Sequence, residues 1–383
     1  MRVTQIIPIL GIHSGGPSRS LLDMTEGLRN SGIDATILTN NDLANPCISS
    51  EPWVHAIPYK ARVFEYNRLF KKEVERVESD LFHVHSIFRY PTTIAMRVAE
   101  KRGIPFIVSP RGSLLKAAMS SSSTWIKTVF NKMILFPDLK KAAALHATSR
   151  EEMEDLLDLG LKRPVILIPN SIRMPDTLSN HRIQSRFRVG VCGRINPIKN
   201  IDGIIRAWAK SGLNNTNAEL VIIGGAKREK EFSYLDDLHQ LERELKIGNI
   251  FWAGPCYGPE KDALFESLSI LLLGSHSENF GMVVPEALSM GIPVAASKGT
   301  PWEMLERTRA GWWIDNSDDS IAATLSNAYR LFQEGGNEME RMGQNGLRLV
   351  KEYYSQEAVA GKWIEAYNWI LKGKEQPDFV TIV

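Results

Sequence analysis

Short apolar runs alternate along this chain with stretches of helical periodicity, a pattern that predicts parallel strands joined by crossover helices. In the first half, Val3–Leu10, Ala35–Thr39, Leu81–His85, Pro105–Ser109, Ala143–Thr148 and Val165–Pro169 read as strands, with helices at Ser18–Asn30 and Pro91–Lys101. Ser149-Arg150-Glu151-Glu152 has the Ser-x-x-Glu form of a capping box and predicts a helix running to about Leu159. A polar stretch, Met174–Arg186, breaks the periodicity and reads as a linker. The pattern restarts with strands at Phe187–Cys192, Leu220–Gly224, Ile250–Ala253, Ile270–Leu273 and Pro293–Ala296. Helices fall near Ile201–Lys210, Tyr234–Lys246, Pro285–Met290, Ser320–Phe332 and Asn337–Tyr353. The last stretch, Ser355–Leu371, carries Trp363, Ala366, Tyr367 and Ile370 at helical spacing. The expected architecture is α/β: two doubly wound, Rossmann-like domains with a deep groove between them. Residues 1–180 form the first domain and 181–355 the second, with a helix at about 356–383 packing back on the first.

A length of 383 residues fits two cores better than one. The hydrophobic fraction of 43% and charged fraction of 23% are those of a soluble globular protein. No apolar run approaches the roughly 20 residues that span a bilayer. The opening MRVTQIIPIL lacks the length and cleavage site of a secretory signal. Three cysteines, Cys47, Cys192 and Cys256, are widely spaced and odd in number, which suggests neither a disulfide framework nor a zinc site. A reducing, cytoplasmic setting is therefore expected. The net charge of +2 hides an asymmetry: residues 1–180 hold 23 Lys and Arg against 18 Asp and Glu, the remainder 23 against 26. Most of the excess lies between Lys60 and Lys141, with 16 basic and 7 acidic residues. Such a patch suits anionic lipid head groups, a phosphorylated acceptor or nucleic acid, and from charge alone a scattered solvated surface explains it equally well.

The most informative segment is Ser275–Gly291, SHSENFGMVVPEALSMG. Glu278 falls in a loop after the apolar run Ile270–Leu273, and Glu286 in or near the first turn of the next helix. A carboxylate on either side of that turn suits the hydroxyl groups of a ribose and a hexose, while backbone N–H groups there can receive anionic oxygen. Taken singly, Glu286 reads as a complement to the helix dipole. A second constellation, VCGRINPIKN, sets Arg194 and Lys199 in the loop after a strand ending at Gly193. Together they could neutralise a leaving diphosphate; as isolated residues they read as surface cations. The first strand ends in GIHSGGPSRSLL, where Gly15 and Gly16 let backbone approach a ligand and a helix beginning near Ser18 presents free N–H groups. This is not the G-x-G-x-x-G of a dinucleotide site. Arg19 reads equally as a ligand of phosphate or acceptor and as an exposed cation.

The segment around Glu278 and Glu286 resembles the signature of glycosyltransferase family four, retaining enzymes of the GT-B fold. The resemblance implies that Glu278 contacts the transferred sugar and Glu286 the nucleotide ribose, with donor contacts through the backbone of Asn279, Phe280, Gly281 and Met282. It also implies that Arg194 and Lys199 bind the donor diphosphate. Gly15 and Gly16 resemble the family's glycine loop on the opposite wall of the cleft, Gly224 and Gly225 a strand end near the nucleotide, and Gly254-Pro255-Cys256-Tyr257 the loop that holds the base. Asp80–Ser86, DLFHVHS, resembles an N-domain strand whose histidines, here His83 and His85, lie near the cleft. Ala147-Thr148-Ser149 and Ile168-Pro169-Asn170 match recurrent segments whose residues read as packing and turn positions. One departure stands out: where many members carry a histidine beside the transferred sugar, this chain has Ser109-Pro110-Arg111-Gly112-Ser113. That segment resembles a branch seen in bacterial exopolysaccharide and capsule assembly, and Arg111 is a candidate for the sugar or for an acceptor phosphate.

The implied activity is transfer of a hexose from a nucleotide-diphosphate sugar, with UDP-glucose the favoured donor, to a glycan or lipid-linked acceptor. The family's front-face mechanism needs no protein nucleophile and rests on positioning and diphosphate neutralisation. No Asp-x-Asp motif is present, so no metal and no cofactor are expected, and nucleic acid is not an expected partner. Competing readings are a sugar-nucleotide epimerase of the same fold, a non-catalytic nucleotide-sugar-binding protein and, more weakly, a nicotinamide dehydrogenase. The stretch Leu114–Lys141 sets Trp125, Ile126, Val129, Phe130, Met133 and Ile134 at helical spacing beside Lys127 and Lys132. It reads either as a helix packed on its own sheet or as a peripheral contact with anionic lipid at the inner face of the cell membrane.

Overall fold

The computed structural model describes residues 1–11, 14–42, 44–60, 65–115, 135–175 and 185–382. The chain divides into two compact units, Met1–Arg173 with Tyr354–Val383, and Met174–Tyr353.

In the first unit β1 (Arg2–Ile9), β2 (Asp34–Asp42), β3 (Val54–Tyr59), β4 (Leu81–His85), β5 (Phe106–Ser109), β6 (Ala144–Ala147) and β7 (Val165–Leu167) are joined by the short strand Val380–Thr381. Their spatial order is Val380–Thr381, β7, β6, β5, β4, β1, β2, β3. All neighbours run parallel except Val380–Thr381 against β7. Parallel sheets are covered on both faces, which is why all five residues of β4 are buried. Phe82 and Val84 face one core with Val108 and Leu145. Leu81 and Ile107 face the other, under Leu21 and Leu28 of helix Gly16–Asn30 and Trp363 of helix Gln356–Lys372. These two helices touch at Gly27, where a Cβ would lie 2.8 Å from the Gln356 carbonyl oxygen. The C-terminal helix is thus part of the first unit's core, with Trp363 and Tyr367 fully buried.

The second unit holds β8 (Arg188–Cys192), β9 (Glu219–Ile223), β10 (Ile250–Gly254), β11 (Ile270–Leu273), β12 (Val294–Ser297) and β13 (Gly311–Ile314), ordered β10-β9-β8-β11-β12-β13 and parallel throughout. One face of its core is built from Phe187, Ile204, Ile205, Trp208, Leu220 and Ile270. The chain starts in the middle of each sheet, moves to one edge and then returns to the other side. The strand order therefore reverses between β1 and β4 in the first unit and between β8 and β11 in the second. In open α/β sheets ligands bind beyond the C-terminal ends of the strands at such a reversal.

Several elements differ from the sequence expectation for identifiable reasons. The strand β3 contains Pro58, which argues against a central strand, and it lies at the sheet edge where proline is tolerated. Only four residues make β13, and they begin with Gly311, where a Cβ would sit 1.9 Å from the Val294 carbonyl oxygen. Helices Arg68–Arg76 and Pro259–Glu266 bury one or two side chains each and leave almost no apolar stripe to detect. The helix expected from Tyr234 begins at Glu229, because the Glu231 carboxylate accepts the N–H groups of Lys227 at 2.8 Å and Arg228 at 3.3 Å. Ser149 caps helix Arg150–Asp158 as its spacing suggests, its Oγ accepting from the Glu152 N–H. The Glu152 carboxylate does not return to the cap and instead accepts from Thr148 and the Gly112 N–H. The expected linker lies largely, and the amphipathic stretch around Trp125 almost wholly, outside the described residues. Among the described residues no helix is long and apolar enough to cross a membrane.

Candidate active site

In the second unit the reversal point gathers most of the residues singled out in the sequence. After β8 the chain passes Gly193 and Arg194 to Asn196, whose side chain accepts the Ile198 N–H and turns the backbone so that Lys199 points back. The Lys199 ammonium pairs with the Glu278 carboxylate, which follows β11. Glu278 Oε1 also accepts from Ser275 Oγ at 2.9 Å, and its N–H is held by the Gly299 carbonyl at 3.0 Å. The His276 N–H donates to the Ile198 carbonyl at 2.8 Å, tying the two loops together. A concavity opens here among Gly193, Arg194, Lys199, Leu273, Gly274 and Ser275. A second pair stands close by: Lys261 Nζ lies 2.5 Å from Glu286 Oε2. Cys192, at the end of β8, feels the charges of Lys261, Glu286 and Lys199. Burial pushes its thiol pKa up to about 11, Lys261 and Lys199 oppose that shift and Glu286 adds to it. All four charged side chains keep between 16% and 21% of their surface exposed, enough to exchange partners with a ligand.

The strand ends beside this concavity approach closely. Gly224 follows β9 with φ 152°, and a Cβ there would fall 1.7 Å from the Gly193 carbonyl oxygen, so only glycine fits. Gly225 packs on Pro255 after β10. Cys256 is buried, with its Sγ 3.6 Å from the carbonyls of Ala253 and Gly254, whereas Tyr257 is exposed. Phe280 is buried against Trp302, whose indole N–H donates to the Phe280 carbonyl at 2.5 Å. The carbonyls of Gly281 and Met282 accept from Val284 and Glu286 as helix Val283–Ser289 begins, and Asn279 is half-buried. Arg194 goes elsewhere: its Nε lies 3.4 Å from Glu231, while half its side chain is exposed. Burial raises the Glu231 pKa, but the Lys227 N–H, Arg194, Asn196 and the Arg228 N–H outweigh that and hold it below the usual carboxylate range. Lys261 and Glu231 were not legible as site residues. Each sits in a helix whose polar turns give no motif.

The first unit's reversal point carries different chemistry. Gly15, with φ 74°, caps helix Gly16–Asn30, which starts two residues before the expected Ser18; Gly15, Gly16 and Arg19 are all exposed. His83 and His85 share a face of β4, their rings 4.1 Å apart and fully buried. A single hydrogen-bonded chain runs through them. Arg111 Nη2 donates to His85 Nδ1 at 3.0 Å, and His85 Nε2 to Gln5 Oε1 at 2.7 Å. Gln5 Nε2 donates to the Tyr367 hydroxyl at 3.3 Å, which donates to His83 Nδ1 at 3.0 Å. His83 Nε2 meets Ser109 Oγ at 2.7 Å, Ser109 meets His146 Nδ1 at 2.6 Å, and His146 Nε2 ends the chain on the Ile168 carbonyl at 2.7 Å. Every bond is satisfied when each imidazole is neutral and carries its proton on Nε2. Burial lowers all three histidine pKa values, with neighbouring histidines and Arg111 adding to the effect at His83 and His85, and Arg111 adding to it at His146, which falls to about 3 although its bond to the Ile168 carbonyl opposes the shift. His85 therefore faces Arg111 and the interior, and the structure does not place it at a surface where an acceptor could touch it. Arg111 itself is half-buried, in a left-handed backbone with φ 58°. It also donates to Asn170 and, at 3.3 Å, to Ser20.

Residues 15–171 match the "Glycosyl transferase 4-like domain" model and residues 179–349 the "Glycosyl transferases group 1" model. Together these matches span most of the chain, one in each structural unit. The fold and these matches define a glycosyltransferase of the GT-B fold and of family four. The chain is 26% identical to the sucrose synthase of Denitrovibrio acetiphilus over 49% of its own length. It spans only about a quarter of that enzyme, 24%. It is 22% identical to the alpha-1,3/1,6-mannosyltransferase ALG2 of Kluyveromyces lactis, over 97% of this chain and 85% of that one. Anabaena HepE, solved in complex with UDP and glucose, superposes with a TM-score of 0.73 over 96% of this chain and 99% of its own, at 16% identity.

Proposed function

We propose that the chain is a retaining hexosyltransferase that moves a hexose, best matched by the glucose of UDP-glucose, to a glycan or lipid-linked acceptor in polysaccharide assembly. One observation carries this reading: two half-buried lysine–glutamate pairs flank the ends of β8 and β11 where the strand order reverses. A donor diphosphate arriving there displaces Glu278 from Lys199, because two phosphates offer the ammonium more negative charge than one carboxylate. Glu278 is then free to accept from hydroxyl groups of the sugar, and Glu286 from those of the ribose. The bond between the anomeric carbon and the phosphate oxygen breaks, and the acceptor oxygen forms the new glycosidic bond. The acceptor's proton passes to the departing diphosphate, which leaves as UDP. Lys199 stabilises the charge that grows on that leaving oxygen, and Arg194, exposed nearby, adds to the positive field. The solved complexes of HepE with UDP and glucose support the choice of donor.

On this reading the first unit holds the acceptor, and its basic excess lets the enzyme meet lipid-linked acceptors at the inner face of the cell membrane. The test is a panel of nucleotide sugars in a thermal-shift assay, since a ligand that binds only the folded state raises its melting temperature. UDP-glucose should give the largest rise. A panel in which no nucleotide sugar moves the transition contradicts the proposal.

A further inference from the structure

In the second unit the loops that carry Lys199 and Glu278 are joined through a residue on a third element. Asn200 follows Lys199 directly, in a left-handed backbone with φ 53° that asparagine tolerates, and is 4% exposed. Its side chain fits because helix Ile201–Lys210 carries Gly203, where a Cβ would lie 2.3 Å from Asn200 Oδ1. A glycine inside a helix is locally destabilising, and here it clears the space that the amide fills. Asn200 Nδ2 donates at 2.9 Å to Oδ1 of Asn316, two residues past β13. Asn316 Nδ2 donates in turn at 3.1 Å to Nδ1 of His276, in the loop between β11 and Glu278. Asn316 also lies against the end of β11, where a Cβ on Gly274 would sit 3.5 Å from its Oδ1. A side-chain amide offers an acceptor and a donor together, so one residue serves both loops. Its partners are 116 and 40 residues away in the chain, too far for any local pattern to announce the bridge. The loops are also tied by the His276 N–H to the Ile198 carbonyl at 2.8 Å and by the Lys199–Glu278 ion pair. That ion pair must open when a donor diphosphate takes the lysine. The amide bridge contains neither of the exchanging groups and can persist through the exchange.

We propose that Asn316 is a positioning residue that keeps Lys199 and the Glu278 loop in register once the donor has separated their ion pair. The role rests on the donor reading above, since only a ligand that takes Lys199 from Glu278 makes the bridge necessary. Removing the amide leaves the Asn200 side chain buried without its acceptor, which loosens the turn that begins at Lys199. The ammonium then samples other orientations and loses part of its contact with the diphosphate. The experiment joins amide hydrogen exchange on the ligand-free chain with calorimetry of UDP binding to Asn316→Ala, Lys199→Ala and the double variant. Asn316→Ala should speed exchange of the His276 and Lys199 N–H groups, which donate to the Ile198 and Asn196 carbonyls, by roughly ten-fold. It should weaken UDP binding roughly five-fold, the worth of about one hydrogen bond, and less than about two-fold when Lys199 is already alanine. A side chain that supports the fold alone would weaken UDP binding equally in both backgrounds. His276→Ala, at an exposed position, removes one arm of the bridge and serves if Asn316→Ala does not fold. Its loss of UDP affinity should be smaller, about two- to three-fold, and should vanish when Lys199 is alanine. Exchange rates that stay unchanged, or UDP losses that add in the double variants, overturn the proposal alone. UDP that fails to bind the unaltered chain overturns the donor reading and, with it, the proposal that rests on it.

Discussion

The two sheets end in opposite electrostatic designs at equivalent points. The second unit places two carboxylates and two ammonium groups in partly exposed pairs. The first keeps three imidazoles neutral and buried in one hydrogen-bonded chain, with a single half-buried guanidinium at its outer end. A partly exposed pair of opposite charges can exchange its internal partner for a charged ligand as long as each group finds a new partner, since no charge is then left buried alone. A closed chain of neutral groups cannot exchange anything without leaving a buried donor or acceptor unsatisfied, so it works as a scaffold. The second unit is therefore built to let go of its internal partners, and the first to keep them.

The comparison can be broken first at the scaffold. Trp363 packs on His83 and His146 at ring distances of 4.5 and 4.7 Å and is fully buried. Trp363→Ala should cost about 3–5 kcal/mol of stability, the usual range for a buried tryptophan. Chemical denaturation checks this, and a loss below about 1 kcal/mol would show that the histidine chain does not depend on the C-terminal helix. At the exchangeable end, Lys199→Ala should lower turnover by roughly 2.7–4 kcal/mol of barrier, about a hundred- to a thousand-fold, while the fold persists. Arg194→Ala should lose less, because Arg194 is half-exposed and tied to Glu231. Steady-state rates on the same acceptor separate the two, and equal losses would place Arg194 on the diphosphate beside Lys199.

The pH dependence distinguishes the two designs further. Burial holds the three histidines neutral in the folded chain, whereas in the unfolded chain they titrate near 6.5. Below that pH the unfolded state binds protons that the folded state refuses. Stability should be complete above pH 6.5 and fall on acidification toward about 3, by on the order of 1 kcal/mol per histidine per pH unit. Melting curves between pH 7.5 and 5 check the slope. A flat profile would mean that the histidines charge without disturbing the fold. The smallest effect expected is at the membrane: the chain should sediment with anionic vesicles at low salt and release at high salt. No binding at low salt would favour a soluble acceptor.

How much of this was legible in the sequence follows from the same contrast. Both sheets, the C-terminal helix and the glycine-bounded strand ends announce themselves through apolar periodicity, because parallel strands must be buried on both faces. Glu278 could be singled out because it stands in the loop after β11, where a charged residue is visible against an apolar run, whereas Glu286, in the first turn of helix Val283–Ser289, and Lys199 stood out only through the family resemblance of their segments. Their pairing was not legible, because Lys261 comes from the helix Pro259–Glu266, whose pattern carries no signal, and no spacing rule links it to Glu286. Arg194 was grouped with Lys199 by proximity in sequence, yet the turn capped by Asn196 sends the two side chains to different carboxylates. In the first unit, alternation along β4 showed that His83 and His85 share a face. It could not show that Tyr367, more than 280 residues away, closes the chain between them.

The central claim is that the second unit's two carboxylates serve different parts of one nucleotide-sugar donor, and calorimetry with UDP alone tests it most directly. Glu286→Ala should weaken UDP binding, because the ribose loses its acceptor. Glu278→Ala should leave UDP affinity nearly unchanged, since its partner is the absent sugar and its removal only frees Lys199 for the diphosphate, while transfer from UDP-glucose is severely impaired. Equal loss of UDP affinity in the two variants, or no loss in Glu286→Ala, would contradict the account.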